Sequence, residues 1–201
     1  MTDFQPYNPL DKKNLGNSVA EAMLQQAIYP LGALSEFQGA GVYAIYYTGT
    51  FPAYERLSFS NQGKQFASPI YVGKAVPSGA RKGNYDEASP TKALYKRLCE
   101  HASSIVMSSN LDIRDFYCRF LVVDDIWIPL GESLLIAKFS PIWNKLIDGF
   151  GNHDPGSGRY NQLRSKWDTL HPGRTWAEKC RKRDDSPESI AEEIRAYLMT
   201  C

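Results

Sequence analysis

The chain has 201 residues, 43% of them hydrophobic and 22% charged, with a net charge of +1. That is enough apolar material for one domain with a sizeable core, and the near-neutral balance excludes a partner chosen by bulk charge alone. Cys99, Cys118, Cys180 and Cys201 form no C-x-x-C pair, which argues against a zinc site or disulfide framework, and no apolar run approaches the ~20 residues that span a bilayer.

The N-terminus lacks the basic start and apolar core of a secretory signal, so a soluble, cytoplasmic protein is expected. Charge is unevenly spread. Residues 151–183 carry eight basic residues against three acidic ones, whereas residues 1–40 carry four acids against two lysines. Such polarity suits a molecule with one anion-facing side, or equally a solvated basic tail.

Residues 1–14 are polar and read as an arm. Asn17-Ser18 is a candidate cap for a helix to about Ile28, with Val19, Met23, Leu24 and Ile28 on one face, and Pro30 stops it. Gly41-Val42-Tyr43-Ala44-Ile45-Tyr46-Tyr47 and residues 70–74 read as two antiparallel strands, each carrying a tyrosine among apolar residues and glycine. Between them, residues 48–68 are too long for a tight hairpin. They read as an excursion, and trimming it is expected to spare catalysis while altering sequence preference.

A Gly/Ser/Pro loop over 76–89 holds Arg81 and Lys82. Ser89-Pro90 then opens a helix to about Met107, with Leu94, Leu98, Ala102 and Ile105 at helical spacing. A third strand is expected over 115–123 and a helix over 132–139, stopped by Pro141. A glycine-rich loop follows over 149–158, then a basic helical segment over 159–170. Ser186-Pro187-Glu188 caps a last helix with Ile190, Ile194 and Leu198 as its stripe. The order β, β, α, β, α predicts an α/β (α+β) fold with a small three-stranded, antiparallel or mixed sheet between helices. The expected division is an N-terminal arm and helix (1–40), a core (41–150, with the insertion 48–68) and a basic helical extension (151–201), in one compact domain.

Arg97 and His101 lie four residues apart on the third-strand-preceding helix, one above the other beside its core stripe. A guanidinium there can grip phosphate through a forked pair of hydrogen bonds. Glu132 is a carboxylate at the start of an otherwise apolar helix. It is either a partner of the helix dipole or a ligand for a hard cation. Asn144, in Pro141-Ile142-Trp143-Asn144, is a turn amide, a phosphate contact or an orienting group.

In this order, Gly-Val-Tyr43, Tyr71-Val-Gly73, Arg97-x-x-x-His101, Glu132 and Pro141-x-x-Asn144 resemble the GIY-YIG nuclease family over roughly residues 41–144. Val replaces Ile in both strand motifs. The interval between the tyrosines, residues 44–70, is much longer than the family's short link. The long inter-strand loop, Tyr71-Val72-Gly73-Lys74-Ala75 and Gly149-Phe150-Gly151-Asn152-His153 look most like the stand-alone type II restriction endonucleases that cut CCGCGG.

The resemblance implies a bacterial, cytoplasmic, homodimeric enzyme that hydrolyses both strands of a GC-rich palindrome. It implies one Mg²⁺ per site on Glu132, with Mn²⁺ able to substitute. Arg97 would stabilise phosphoryl oxygens, and Tyr71 would bond phosphate or water. Tyr43 or His101 would be the immediate base, with Lys74 favouring the Tyr43 phenolate and Asn144 completing the set. Arg81, Lys82, Arg159, Arg164, Lys166 and Arg174 are the candidate DNA contacts. A repair or mobile-element nuclease of the same family, or a catalytically inert DNA-binding module, are the alternatives.

Overall fold

A computed structural model describes residues 8, 10–77 and 91–200. Helix α1 spans Lys12–Leu24 and is capped by Asp11, whose carboxylate accepts from the Lys13 N–H at 2.8 Å. The helix thus begins inside the expected arm, at an aspartate and not at Asn17-Ser18, and ends before Ile28. A local Asp side chain satisfies an otherwise orphaned N–H as well as a serine does.

Four strands follow: β1 (Tyr29–Pro30), β2 (Gly41–Tyr47), β3 (Tyr71–Ala75) and β4 (Phe116–Val122). They form one sheet in the order β1-β4-β2-β3, and every pairing is antiparallel. The sheet has four strands where three were expected. The extra strand is two residues long, too short to carry a periodic signal, and its Pro30 had been read only as a helix stop. Proline is tolerated there because the strand lies at an edge.

β2 is buried along its whole length because it sits inside the sheet with helices on both faces. Its alternating side chains separate into two cores. Val42, Ala44 and Tyr46 pack with Met23 of α1 and with Ile128 and Leu135 of α4 (Ile128–Phe139). Tyr43, Ile45 and Tyr47 face the other way. They pack with Leu94, Leu98 and Ile105 of α3 (Ala93–Met107) and with Ile142 and Trp143 of α5 (Ile142–Lys145). Trp167 and Leu170 of α6 (Lys166–Leu170) and Ile190, Ile194 and Leu198 of α8 (Pro187–Thr200) complete that core. The basic extension is therefore core-forming on its inner side. Of the basic segment expected to be helical over 159–170, only α6 is an α-helix; a 3₁₀ turn occupies Ser157–Arg159. A further short helix, α7, covers Thr175–Glu178.

The insertion between β2 and β3 is not an excursion. It holds a 3₁₀ turn (Pro52–Tyr54) and helix α2 (Glu55–Asn61). Asn61 closes it. Its amide donates to the carbonyls of Tyr47 (3.0 Å) and Ser68 (2.9 Å), and its oxygen accepts from the Ser68 N–H (3.0 Å). Tyr54 is fully buried and donates toward His171 Nε2 at 2.6 Å while accepting from Trp143 Nε1 at 2.9 Å. The insertion is thereby bolted to the C-terminal extension. The Ser89-Pro90 cap, Arg81 and Lys82 lie outside the described residues. Among the described residues no helix is long and apolar enough to cross a membrane.

Candidate active site

Tyr43 and Gly73 are direct partners across β2 and β3. A Cβ at position 73 would lie 2.3 Å from the Tyr43 hydroxyl. Only glycine lets the phenol cross its neighbour strand, so the tyrosine of one strand and the glycine of the next form one structural unit. Gly41 has φ +155°, and a Cβ there would meet the Leu121 carbonyl at 2.1 Å, which explains the glycine that opens β2.

The Tyr43 hydroxyl lies 2.6 Å from His101 Nε2. Both residues are buried, and the imidazole stacks on Phe150 with centroids 4.5 Å apart at 16°. Burial pushes the Tyr43 phenol well above its ordinary pKa; Tyr71 adds to the shift and Arg97 opposes it. Burial also holds His101 well below the ordinary histidine range, with the positive charges of Arg97 and Arg174 acting in the same direction. The resting pair is therefore a neutral phenol beside a neutral imidazole.

Arg97, one turn before His101 on α3, has a side chain 22% exposed. Its Nη1 donates to Glu100 at 2.8 Å and meets His153 Nε2 at 2.6 Å, while Nη2 donates to the Gly151 carbonyl at 3.0 Å. A Cβ at Gly151 would lie 3.1 Å from both Arg97 Nη2 and the Tyr71 hydroxyl, so the loop, the guanidinium and the second tyrosine converge. Tyr71 is half-buried and packs its ring edge-on to His101 at 5.2 Å. Burial raises its phenol, with Arg97 opposing.

Glu132 sits on α4, which begins at Ile128, so it lies beyond the first helical turn and the dipole reading is not the one realised. Its Oε2 accepts from Lys74 Nζ at 2.6 Å. Lys74 was expected to favour a Tyr43 phenolate. Its side chain points to Glu132 instead, because Tyr43 and Lys74 occupy opposite faces of neighbouring strands in this register. Glu132 still acts on the site, raising both phenols through its charge. Among the described residues no group of three or more His, Cys, Asp or Glu side chains is arranged to hold a metal. Glu132, a hard-oxygen donor beside the site, could contribute to holding one.

Asn144 takes the orienting role. Its amide oxygen accepts from the Val72 N–H and its nitrogen donates to the Val72 carbonyl, both at 2.8 Å. It thus acts as a one-residue neighbour for the outer edge of β3. Tyr43, Tyr71, Arg97 and His101 come together in one place; Glu132 and Lys74 border it, and Asn144 supports it from behind.

The candidate DNA contacts fare unevenly. Arg159 is exposed. Arg164 is half-buried and gives its guanidinium to the carbonyls of Ala177 and Glu178, and Lys166 pairs with Glu193 at 2.6 Å. Arg174 is buried, its side chain 0% exposed against Asp168, so as placed it faces the interior and not a duplex. Lone basic residues in sequence do not reveal whether a buried acid waits for them. Sequence reading missed Glu100 and His153 on Arg97, Phe150 on His101, and Lys92 and Lys96. These two lysines line, with Lys74, Arg97 and Glu100, an open hollow of about 280 Å³ beside the site. The run Gly149-Phe150-Gly151-Asn152-His153 was the available signal for His153 and Phe150.

A family model described as the Eco29kI GIY-YIG domain matches residues 35–198. No curated protein matches the chain by sequence.

Proposed function

Because the chain belongs to the Eco29kI GIY-YIG domain family, we propose that it is a type II restriction endonuclease that hydrolyses both strands of duplex DNA at CCGCGG. The observation that carries this reading is the Tyr43–His101 contact of 2.6 Å, within the electrostatic reach of the Arg97 guanidinium. A water attacking phosphorus must lose a proton, and here a phenol stands in line with an imidazole that can receive one.

Tyr43 is the nearer base. His101 lies under Phe150 with Nε2 already engaged by the phenol. In the proposed step the Tyr43 oxygen takes a proton from water while its own passes to His101 Nε2. Water oxygen bonds to phosphorus as the bond to the 3′-oxygen breaks, and the departing 3′-oxygen takes a proton from solvent. The imidazolium formed in this way is disfavoured by burial, and the negative charge gathering on phosphate offsets that cost. Both members of the pair are buried, so the scissile phosphate reaches them by displacing the exposed partners of Arg97. Glu100 and His153 give way and phosphate oxygens take their donors. Tyr71 bonds the phosphate or the water from the adjoining strand.

Glu132 would hold one Mg²⁺, which would supply charge neutralisation on the phosphate and the leaving oxygen. Lys92 and Lys96, with Lys74, carry the DNA backbone past the site. Cutting both strands of a palindrome with one site per chain calls for a two-fold homodimer.

Purified protein is incubated with plasmid carrying CCGCGG and Mg²⁺, and the ends are read by run-off sequencing. Discrete fragments ending within CCGCGG on both strands are expected. Nicks at branched or damaged DNA would replace this reading with a repair-type nuclease, and retention on DNA without a cut would replace it with a binding module.

A further inference from the structure

Arg174 lies far from the site in sequence, just after His171-Pro172-Gly173, and the fold brings it back. Gly173 has φ +141°, and a Cβ there would sit 1.9 Å from the Met107 carbonyl, so the turn is pressed against the end of α3. The Pro172 carbonyl also accepts from the Ser109 N–H at 2.8 Å. Arg174 then runs into the interior between Trp167 (4.5 Å) and Trp176 (4.8 Å). Its Nε donates to Asp168 Oδ1 at 2.6 Å, and the second Asp168 oxygen accepts from Ser165 Oγ at 2.6 Å.

The remaining donors all go to one loop. Nη2 donates to the Gly149 carbonyl at 2.8 Å, and Nη1 to those of Phe150 at 3.2 Å and Asn152 at 3.1 Å. The carbonyl left out, Gly151, is the one that holds Arg97. Two arginines therefore read one loop, and the loop couples them. Between their anchor points stands Phe150, stacked on His101. A buried ion pair is a poor source of net stability, since desolvating both charges offsets most of their attraction. Its value here is in geometry: a planar fork fixes several carbonyls at once, which a lysine point charge does not do.

We propose that Arg174, oriented by Asp168, is a positioning residue of the cleavage site, holding residues 149–153 so that the Gly151 carbonyl aims Arg97 and Phe150 covers His101. The inference rests on the nuclease reading above, and its test separates the two.

The test is a double-mutant cycle in the full-length protein. Arg174→Lys is assayed below its unfolding temperature, alone and in an Arg97→Ala background. Alone, it is expected to lower kcat about 10–100-fold, the usual result of a small misplacement at a reacting centre, with KM for DNA changed less than about threefold. In the Arg97→Ala background its further effect on kcat is expected to shrink to about threefold or less, because the group it aims is gone. Equal losses in both backgrounds, or no loss in the first, would overturn the proposal.

A second readout needs no cleavage. The His101 ring is titrated by NMR, its environment being Tyr43 from β2, Tyr71 from β3, Arg97 from its own helix, and His153 and Arg174 from the extension. Opening the loop admits water, so the His101 midpoint in Arg174→Lys is expected to rise toward the ordinary histidine value; an unchanged midpoint in a folded variant counts against the proposal. Should the wild type cut no DNA, the nuclease reading falls and the titration alone decides whether Arg174 governs the loop. Should Arg174→Lys fail to fold, Asp168→Asn carries both measurements with the same expected directions.

Discussion

The molecule contains two tyrosine–histidine pairs of the same geometry. Tyr43 meets His101 Nε2 at 2.6 Å, and Tyr54 meets His171 Nε2 at 2.6 Å. In both, burial drives the phenol up and the imidazole down, His171 to about 3. They differ in company. Around the first stand Arg97, Tyr71 and Glu132, with exposed groups one layer out. Around the second stand Trp143, Phe51, Trp167 and Asn110, whose Oδ1 lies 2.8 Å from His171 Nδ1. A short phenol–imidazole bond is thus no signature of catalysis. What makes one pair a candidate for chemistry is a cation it can share with an incoming anion.

The sharpest way to separate the pairs is to remove each hydroxyl. Tyr43→Phe is expected to reduce cleavage by about 10²–10⁴-fold, while Tyr54→Phe leaves kcat within about threefold and lowers stability by about 1–3 kcal/mol through the stranded His171 and Trp143 groups. Plasmid cleavage and urea unfolding on the same preparations check both. Near-wild-type cleavage by Tyr43→Phe would sink the phenol-as-base step.

The next largest effect concerns the ground on which the second pair stands. Asn61→Ala deletes three hydrogen bonds that close the insertion and is expected to cost about 3 kcal/mol, at about 1 kcal/mol per bond. A shift in DNA sequence preference without loss of stability would restore the insertion to an excursion.

Acid treats both pairs alike. Each buried imidazole stays unprotonated in the folded chain well below the pH at which the unfolded chain binds its proton, near 6.5. Unfolding therefore takes up protons below that pH, and stability falls as pH falls. Each histidine contributes a slope that approaches about 1.4 kcal/mol per pH unit, and for His171 the loss continues toward pH 3. Thermal melts between pH 7 and 5 check this; His171→Asn should flatten the curve. The smallest effect belongs to Lys74→Met. Its bond to Glu132 is 40% exposed on the lysine side, so solvent screening leaves less than about 1 kcal/mol of stability to lose.

The residues of the first pair were readable in the sequence because glycine spacing and helical periodicity are local. Tyr43, Tyr71 and Gly73 announce a strand pair, and Arg97 and His101 share a helix face. The second pair was invisible. Tyr54 and His171 are 117 positions apart, lie in stretches without period, and meet only because the insertion and the extension close on the same core. Arg174 was misread for the same reason. A basic run looks solvated until the fold supplies Asp168, Trp167 and three carbonyls. Strand β1 escaped notice because two residues make no pattern, and α1 began early because an aspartate can cap as well as a serine.

The sheet's rims carry one more consequence. On one side the last strand is two residues long and ends in proline, which has no N–H to offer. On the other, Asn144 already occupies both backbone groups of Val72, and the Trp143 N–H holds the Ile70 carbonyl. Among the described residues, the Pro30 nitrogen, Val72 and the Ile70 carbonyl therefore have nothing left to offer a further strand at these points of the rims. The proposed pair on a palindrome would be joined away from these positions, and could part again without unravelling β1 or the Val72 bonds.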